Sequence, residues 1–285
     1  MVLAYNNTGE KLFFEDNGYF DLTTFGLEIG NKQGDISFTP KQNIVLSGCN
    51  AVEEIMQLCG LKYIFLKHDG EEVEANMPIL ECSGDAKSLH KAWKISQNIF
   101  EYMSAIATYT NSMLKLAKEV NPQITLTTTR KNFPGAKELM LKAVMDGGGV
   151  PHRLGLFDSI LIFEQHLAFF DTHSELEKNF RNLKRKFIEK KITVEVENIK
   201  SARYFASLGA DILQCEKMDF QTLKECVKLK EEFANIVISA TGGINLQNVR
   251  EYAKTGVDLI VTSSPYHAKP LDIKVQMRKK EVQNG

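Results

Sequence analysis

The chain carries almost no net charge: 35 basic and 36 acidic side chains leave a formal charge of −1. No overall field draws it to nucleic acid or to an anionic membrane, so any anion binding has to come from a local cluster. It also lacks an apolar run approaching the length of a membrane span, and its opening, MVLAYNNTGEKLFF, lacks the basic-then-apolar order of a signal peptide. The cysteines (Cys49, Cys59, Cys82, Cys215 and Cys226) are odd in number and show no C-x-x-C spacing. Free thiols in a reducing cytosol explain them better than disulfides or a zinc site, so a cytoplasmic protein is expected. No serine stands in a nucleophile elbow and no cysteine has a catalytic signature. The triple glycine Gly147 to Gly149 is not followed by the GK of a phosphate-binding P-loop, which argues against nucleotide hydrolysis. What remains is an ordinary globular composition, 43% hydrophobic and 25% charged, long enough at 285 residues for one or two domains.

The stretch from Thr127 to Phe163 organises what is present. Two basic pairs, Arg130-Lys131 and His152-Arg153, flank a helical pattern and the triple glycine. Arg and Lys beside a glycine-rich loop suit a pocket for anions, because backbone N–H groups approach a ligand closely only where no Cβ intervenes. The plainer alternative is two solvated surface pairs.

Residues 1 to about 85 read as strand-rich and irregular, with turn residues among the aromatics of LFFEDNGYFDLTTFGL and a helix, VEEIMQLCG, stopped by Gly60. From Ala86 to Val120 apolar residues recur at three- and four-residue steps, which predicts helix, with close packing or a bend near Ser104-Ala105. Beyond Pro122 the chain alternates: strands at Ile124–Thr128, Ser159–Phe163, Ile192–Glu197, Asp211–Cys215, Ile236–Ala240 and Asp258–Thr262, with helices between them. One of those helices is expected to open at Ser174 with a capping box to Glu177, and another to be capped by Asn245. About six β/α units predict parallel strands with helical crossovers, closed most simply as a barrel, with an open doubly wound sheet as the alternative.

Parallel strands carry their active groups at their C-terminal ends. Arg130-Lys131, Glu216-Lys217, Thr241-Gly242-Gly243 and Ser263-Ser264 all follow strands, which favours a pocket over a solvated surface. SATGGI and the neighbouring SSPYHA, with Ser263 and His267, read as adjacent phosphate loops. Glu195 and Glu197 share one strand face and, with Glu216 at the next strand end, could hold Mg²⁺ or sugar hydroxyls. The alternative is one solvent-facing glutamate and one salt-bridged to an interior lysine. His166 and His173 read as ordinary helix-loop residues. Together these features suit a phosphorylated sugar reacting with an anionic acceptor.

The same residues, in order, resemble the quinolinate phosphoribosyltransferase family, the type II phosphoribosyltransferases also called nicotinate-nucleotide pyrophosphorylases. EDNGYFDLTT, SAIAT, TRKNFPGAKELMLKAV, GGGVPHR, VEVEN, GADILQCEKM, ATGGI and YAKTGVD carry the resemblance along almost the whole chain. It implies an N-terminal α/β sandwich (1–110, including the long linking helix) and an open α/β barrel (111–285), with a C-terminal tail free to return to the first domain. It also implies a homodimer, or an assembly built from dimers, whose sites combine two subunits. Carried over by position, Arg130, Lys131, His152 and Arg153 match the cluster that holds acceptor carboxylates and phosphoribosyl pyrophosphate. Glu195 matches the acid near the ribose and Mg²⁺, and Glu216 stands where the family has Asp in an LDN motif. Thr241, Gly242, Gly243, Ser263 and His267 match the phosphate loops, with Thr for Ser and Ser for Gly. Catalytic roles thus fall to Lys131, Glu195 and Glu216, the last two also as metal ligands.

The departures are specific. The family's lysine in IK-x-NH is Phe163 in IFEQH, its acid-arginine pair before SGIAT is Trp93-Lys94, and GxLTHS is SSPYHA. Losing a substrate lysine removes a charge-assisted contact of about 1.5–3 kcal/mol, so quinolinate would match poorly. Lys94 is retained as an anion-binding candidate. This set of changes is similar to that of the pyrophosphorylase-like branch associated with molybdenum transport. The reading is Mg²⁺-assisted phosphoribosyl transfer to an anionic nitrogenous acceptor, without nucleic-acid or membrane partners. The alternatives are quinolinate phosphoribosyl transfer in NAD biosynthesis, and a non-catalytic binder of a metabolite or oxyanion.

Overall fold

The structure is a computed structural model that describes residues 7–280. In chain order it contains α1 (Thr8–Asn17), α2 (Leu22–Gly26), β1 (Gln33–Pro40), β2 (Ile44–Val45), α3 (Cys49–Leu58), β3 (Lys62–Phe65), β4 (Glu72–Val73), β5 (Leu80–Asp85) and α4 (Ala86–Lys118). There follow β6 (Thr125–Thr128), α5 (Lys137–Asp146), β7 (Val150–Pro151), β8 (Ile160–Ile162), α6 (Glu164–Leu167), α7 (His173–Lys186), β9 (Ile192–Val196) and α8 (Ile199–Ser207). The last elements are β10 (Ile212–Glu216), α9 (Phe220–Lys228), β11 (Val237–Thr241), α10 (Val249–Ala253), β12 (Leu259–Thr262) and β13 (Ile273–Lys279). They form two compact units: Met1–Asn111 with Phe133–Gly148 and Tyr266–Gly285, and Ser112–Asn132 with Gly149–Pro265.

The first unit is built on a four-stranded antiparallel sheet, ordered β13-β1-β5-β3. β1 alternates, with Ile36 and Phe38 buried, and Phe38 meets Phe100 of α4 edge-on with ring centroids 5.9 Å apart. Val52, Ile55 and Met56 are fully buried on one face of α3, the spacing that makes that helix amphipathic. The aromatic-rich opening, expected to be irregular, contains the helices α1 and α2, the latter capped by Asp21, whose carboxylate accepts from the backbone N–H groups of Thr23 and Thr24. α4 is one helix of 33 residues rather than two, and its small residues Ser104 and Ala105 are buried as at a close-packed face.

In the second unit the seven strands run parallel in the order β7-β6-β12-β11-β10-β9-β8. β7 and β8 do not pair, so the curled sheet stays open along that edge. The six expected strands are all present; the seventh is the two-residue β7, too short for periodicity to reveal. Near-continuous burial of β9 to β12 explains their apolar runs, as parallel strands are covered on both faces. Two helix starts differ from expectation. α7 is capped by Thr172, whose hydroxyl accepts from Glu175 N–H, two residues before the predicted Ser174. α10 begins at Val249, because Asn245 spends its side chain on a turn, accepting from Gln247 N–H. All five cysteines are free thiols, with burial pushing Cys59 up to about 11 and Cys82 up to about 12.

Candidate active site at the rim of the parallel sheet

The C-terminal ends of the seven strands deliver, in spatial order, His152-Arg153, Arg130-Lys131, Ser263, Thr241-Gly242-Gly243, Glu216-Lys217, Glu195 and Phe163. They share a rim because parallel strands all finish at the same edge.

Glu195 and Gln214 are direct partners across β9 and β10, so their side chains lie on one face. Gln214 Nε2 donates to Glu195 Oε2 at 2.8 Å, while the buried Gln214 Oε1 has no hydrogen-bond partner. Burial raises the Glu195 carboxyl above its ordinary range, and repulsion from Glu216 and Glu197 adds to this; the Gln214 hydrogen bond and the charge of Lys131 act in the opposite direction. Glu197 lies past the end of β9 and is exposed. Glu216 is half-buried, with Lys217 Nζ 3.8 Å from its Oε1.

The donor set fits Mg²⁺. Repulsion from Glu216 adds to the raised Glu195 carboxyl, and a divalent cation would relieve it. Among the described residues no group of three or more His, Cys, Asp or Glu could hold a metal. The fit is therefore to an ion carried on one or two carboxylates plus substrate phosphate oxygens.

The phosphate-loop candidates lie beside this pair. Gly242 (φ 91°) and Gly243 (φ 72°) are both left-handed. A Cβ on Gly242 would come within 2.5 Å of Lys217 Cγ and 2.8 Å of Glu216 Oε1, so only glycine lets the backbone pass. Gly243 is open on its free side, and its carbonyl accepts from Asn248 Nδ2 at 3.0 Å. α10 is a single short helix beginning six residues after Gly243, so the loop amides, rather than a helix N-terminus, are the available donors. Thr241 is buried and its hydroxyl donates to the Val261 carbonyl, so its side chain braces β11 against β12. Ser263 is half-buried after β12.

The basic groups divide by environment. Arg130 and Lys131 are exposed, and among the described residues neither has an ion-pair partner. Burial lowers the His152 imidazole below its ordinary range and the neighbouring Arg153 lowers it further, while Asp158 acts in the opposite direction. Arg153 is itself lowered, by burial and then by the neighbouring charge of Arg130. Its guanidinium lies over the Phe163 ring, 5.7 Å from the centroid, reaching from the β7 end to the β8 end of the open sheet. Lys94 and His267 belong to the other compact unit; Lys94 is exposed, bonds Gln97 Oε1 at 2.9 Å and lies over the Trp93 ring.

Three groups escaped sequence reasoning. Gln214 was findable, since it precedes Glu216 by two residues on the same strand face. Asn248 had no usable signal, because its role depends on the loop's turn. His166, read as an ordinary loop residue, stacks on Phe163 (centroids 5.9 Å, planes 16° apart) and accepts the Phe163 N–H at Nδ1, 3.0 Å away.

Two family models cover nearly all of the chain: the quinolinate phosphoribosyl transferase N-terminal domain over residues 21–104 and the C-terminal domain over residues 106–276. The chain belongs to the quinolinate phosphoribosyltransferase family. It is 33% identical over 280 residues to a Pasteurella multocida protein bearing the name pyrophosphorylase ModD, covering 98% of this chain and 99% of that one. It is 31% identical over 258 residues to a Methanocaldococcus jannaschii protein bearing the name nicotinate-nucleotide pyrophosphorylase (carboxylating), covering 89% of each. The solved nicotinate-nucleotide pyrophosphorylase from Francisella tularensis superposes with a TM-score of 0.88 at 25% identity, covering 97% of this chain and 98% of that one. No helix among the described residues is long and apolar enough to cross a membrane.

Proposed function

We propose that the chain transfers the 5-phosphoribosyl group of phosphoribosyl pyrophosphate to the ring nitrogen of an anionic acceptor. One observation carries this reading: unpaired cations, a crowded carboxylate pair and a glycine loop with open amides meet on one rim. In the reaction the bond from the anomeric carbon to pyrophosphate breaks, and the leaving oxygen takes its electron pair. The acceptor's nitrogen lone pair forms the new bond at that carbon. Glu195 and Glu216 would hold Mg²⁺ together with substrate phosphate oxygens, and the ion would supply charge neutralisation for the departing pyrophosphate.

The chain's own residues supply positioning and charge. The Gly242 and Gly243 amides hold the 5-phosphate. Glu195, oriented by Gln214, accepts from ribose hydroxyls and stabilises positive charge developing at the sugar. Lys131 faces Glu195 and offsets phosphate charge, and Arg130 and Arg153 hold the acceptor's anionic group. In this reading Ser263 completes the phosphate loop, and the working form is a homodimer in the cytoplasm. Similarity to ModD supports a role in molybdenum use; a deletion strain with normal molybdoenzyme activity at low molybdate would remove that part.

Pyrophosphate release with Mg²⁺, phosphoribosyl pyrophosphate and a panel of pyridine and azole carboxylates tests the transferase. Turnover that Lys131→Ala and Glu195→Gln leave unchanged would sink the assignment of these residues. Similarity to nicotinate-nucleotide pyrophosphorylases favours a second reading, quinolinate as acceptor, and growth of a quinolinate-pathway mutant carrying this chain discriminates it.

A further inference from the structure

Resting on that transferase reading, we propose that Lys217 is a tethered cation of the donor subsite, an alternative to Mg²⁺ as the partner of Glu216, so that donor binding depends only in part on the ion. Successive side chains of an extended strand point to opposite faces, so a regular continuation of β10 would turn Lys217 away from Glu216. The chain does not continue regularly. Lys217 takes a left-handed backbone (φ 49°), a conformation uncommon for a residue with a Cβ. Its N–H donates to the Thr241 carbonyl at 2.9 Å, which ties this reversal to the end of β11. The side chain lies over the glycine loop: a Cβ on Gly242 would come within 2.5 Å of the Lys217 Cγ, so the bare glycine is also what seats the lysine stem. Nζ reaches to 3.8 Å from Glu216 Oε1, while the side chain stays 76% exposed and open to a phosphate. Backbone strain of this kind persists only where surrounding contacts hold it, and it gathers at ligand sites. The LDN motif has Asn where Lys217 stands, so the cation is this chain's own. An ammonium is a compact charge on a flexible stem, able to leave Glu216 for phosphate oxygens when Mg²⁺ takes the carboxylate. The ion and the lysine therefore compete for Glu216, and either offsets the charge of the donor.

Calorimetric titration of the full chain separates this from the reading beneath it. The probe is phosphoribosyl pyrophosphate, titrated with saturating Mg²⁺ and again with EDTA. Wild type should hold the donor in EDTA within about tenfold of its affinity with the ion. Lys217→Met keeps the stem and removes the charge. It should lose about tenfold or more in EDTA, the size of one charge-assisted contact, and about threefold or less with saturating Mg²⁺. Lys217→Arg should keep ion-free binding. Asn tolerates the left-handed backbone, so Lys217→Asn should melt no lower than wild type yet lose ion-free binding, a separation that a merely structural role would not produce. Wild-type binding that EDTA abolishes overturns the proposal while leaving the transferase reading intact. Equal losses in Lys217→Met with and without the ion do the same. No donor binding by wild type under either condition removes both.

Discussion

At the scale of single residues, Glu195 links structure to pH dependence. Its carboxyl is raised chiefly by burial, and it acts on ribose or cation only when ionised. Donor binding is therefore lost as pH falls through that raised pKa, beginning at a higher pH than for an ordinary glutamate. In Glu195→Gln this step should vanish and binding should be uniformly weak. Donor affinity measured from about pH 4 to 8 checks the difference between the two proteins; an unchanged acid limb in the variant would assign the titration elsewhere. Gly242 makes a second test. Alanine there must adopt φ near 91° and press against Lys217 and Glu216. The expected cost is about 1–3 kcal/mol of stability together with lost donor affinity, read from denaturant melts and titration. Gly243→Ala meets no such neighbours, so it should share only the backbone strain.

Among the elements, α5 is secured to its own unit by charge. Lys142 pairs with Asp69 at 3.0 Å and with Asp146, and Asp146 also accepts from Ser47 Oγ at 2.7 Å. All three charged side chains are less than one-fifth exposed. Removing the cation leaves two buried carboxylates facing one another. Lys142→Met should therefore cost about 3–5 kcal/mol, and Lys142→Met with Asp146→Asn should recover part of it; a chemical-denaturation cycle measures both. Elements were legible in the sequence where one period dominates. The six longer strands and α4 follow from their apolar spacing. α1 and α2 were not, because a five-residue helix and one with few buried positions leave little periodicity. Cap positions were misread by two or three residues, since several adjacent Ser, Thr and Asn can cap and only the folded turn chooses.

For the molecule as a whole, chain order and spatial order diverge. The first unit closes its sheet with β13, which pairs residue by residue with β1 from Gly34–Lys279 to Pro40–Ile273, across more than 200 intervening positions. Ending the chain before Ile273 strips this partner and leaves β1, with Ile36 and Phe38, as an open edge. Lower thermal midpoint and concentration-dependent light scattering are expected; an unaltered melt would show that β13 contributes little.

The parallel strand series, the free cysteines, the family and the residue types that finish each strand are readable from residue order alone. These are properties of local spacing, composition and motif order, which survive without coordinates. The unpaired edge between β7 and β8, the orientation of Glu195 by Gln214, the lowered basicity of His152 and the seat of Arg153 over Phe163 arise only in the folded chain. Each of those depends on burial and on distances between residues far apart in the chain. Desolvation and through-space charge, which set protonation and specificity, exist only once the strands have been brought to a common rim.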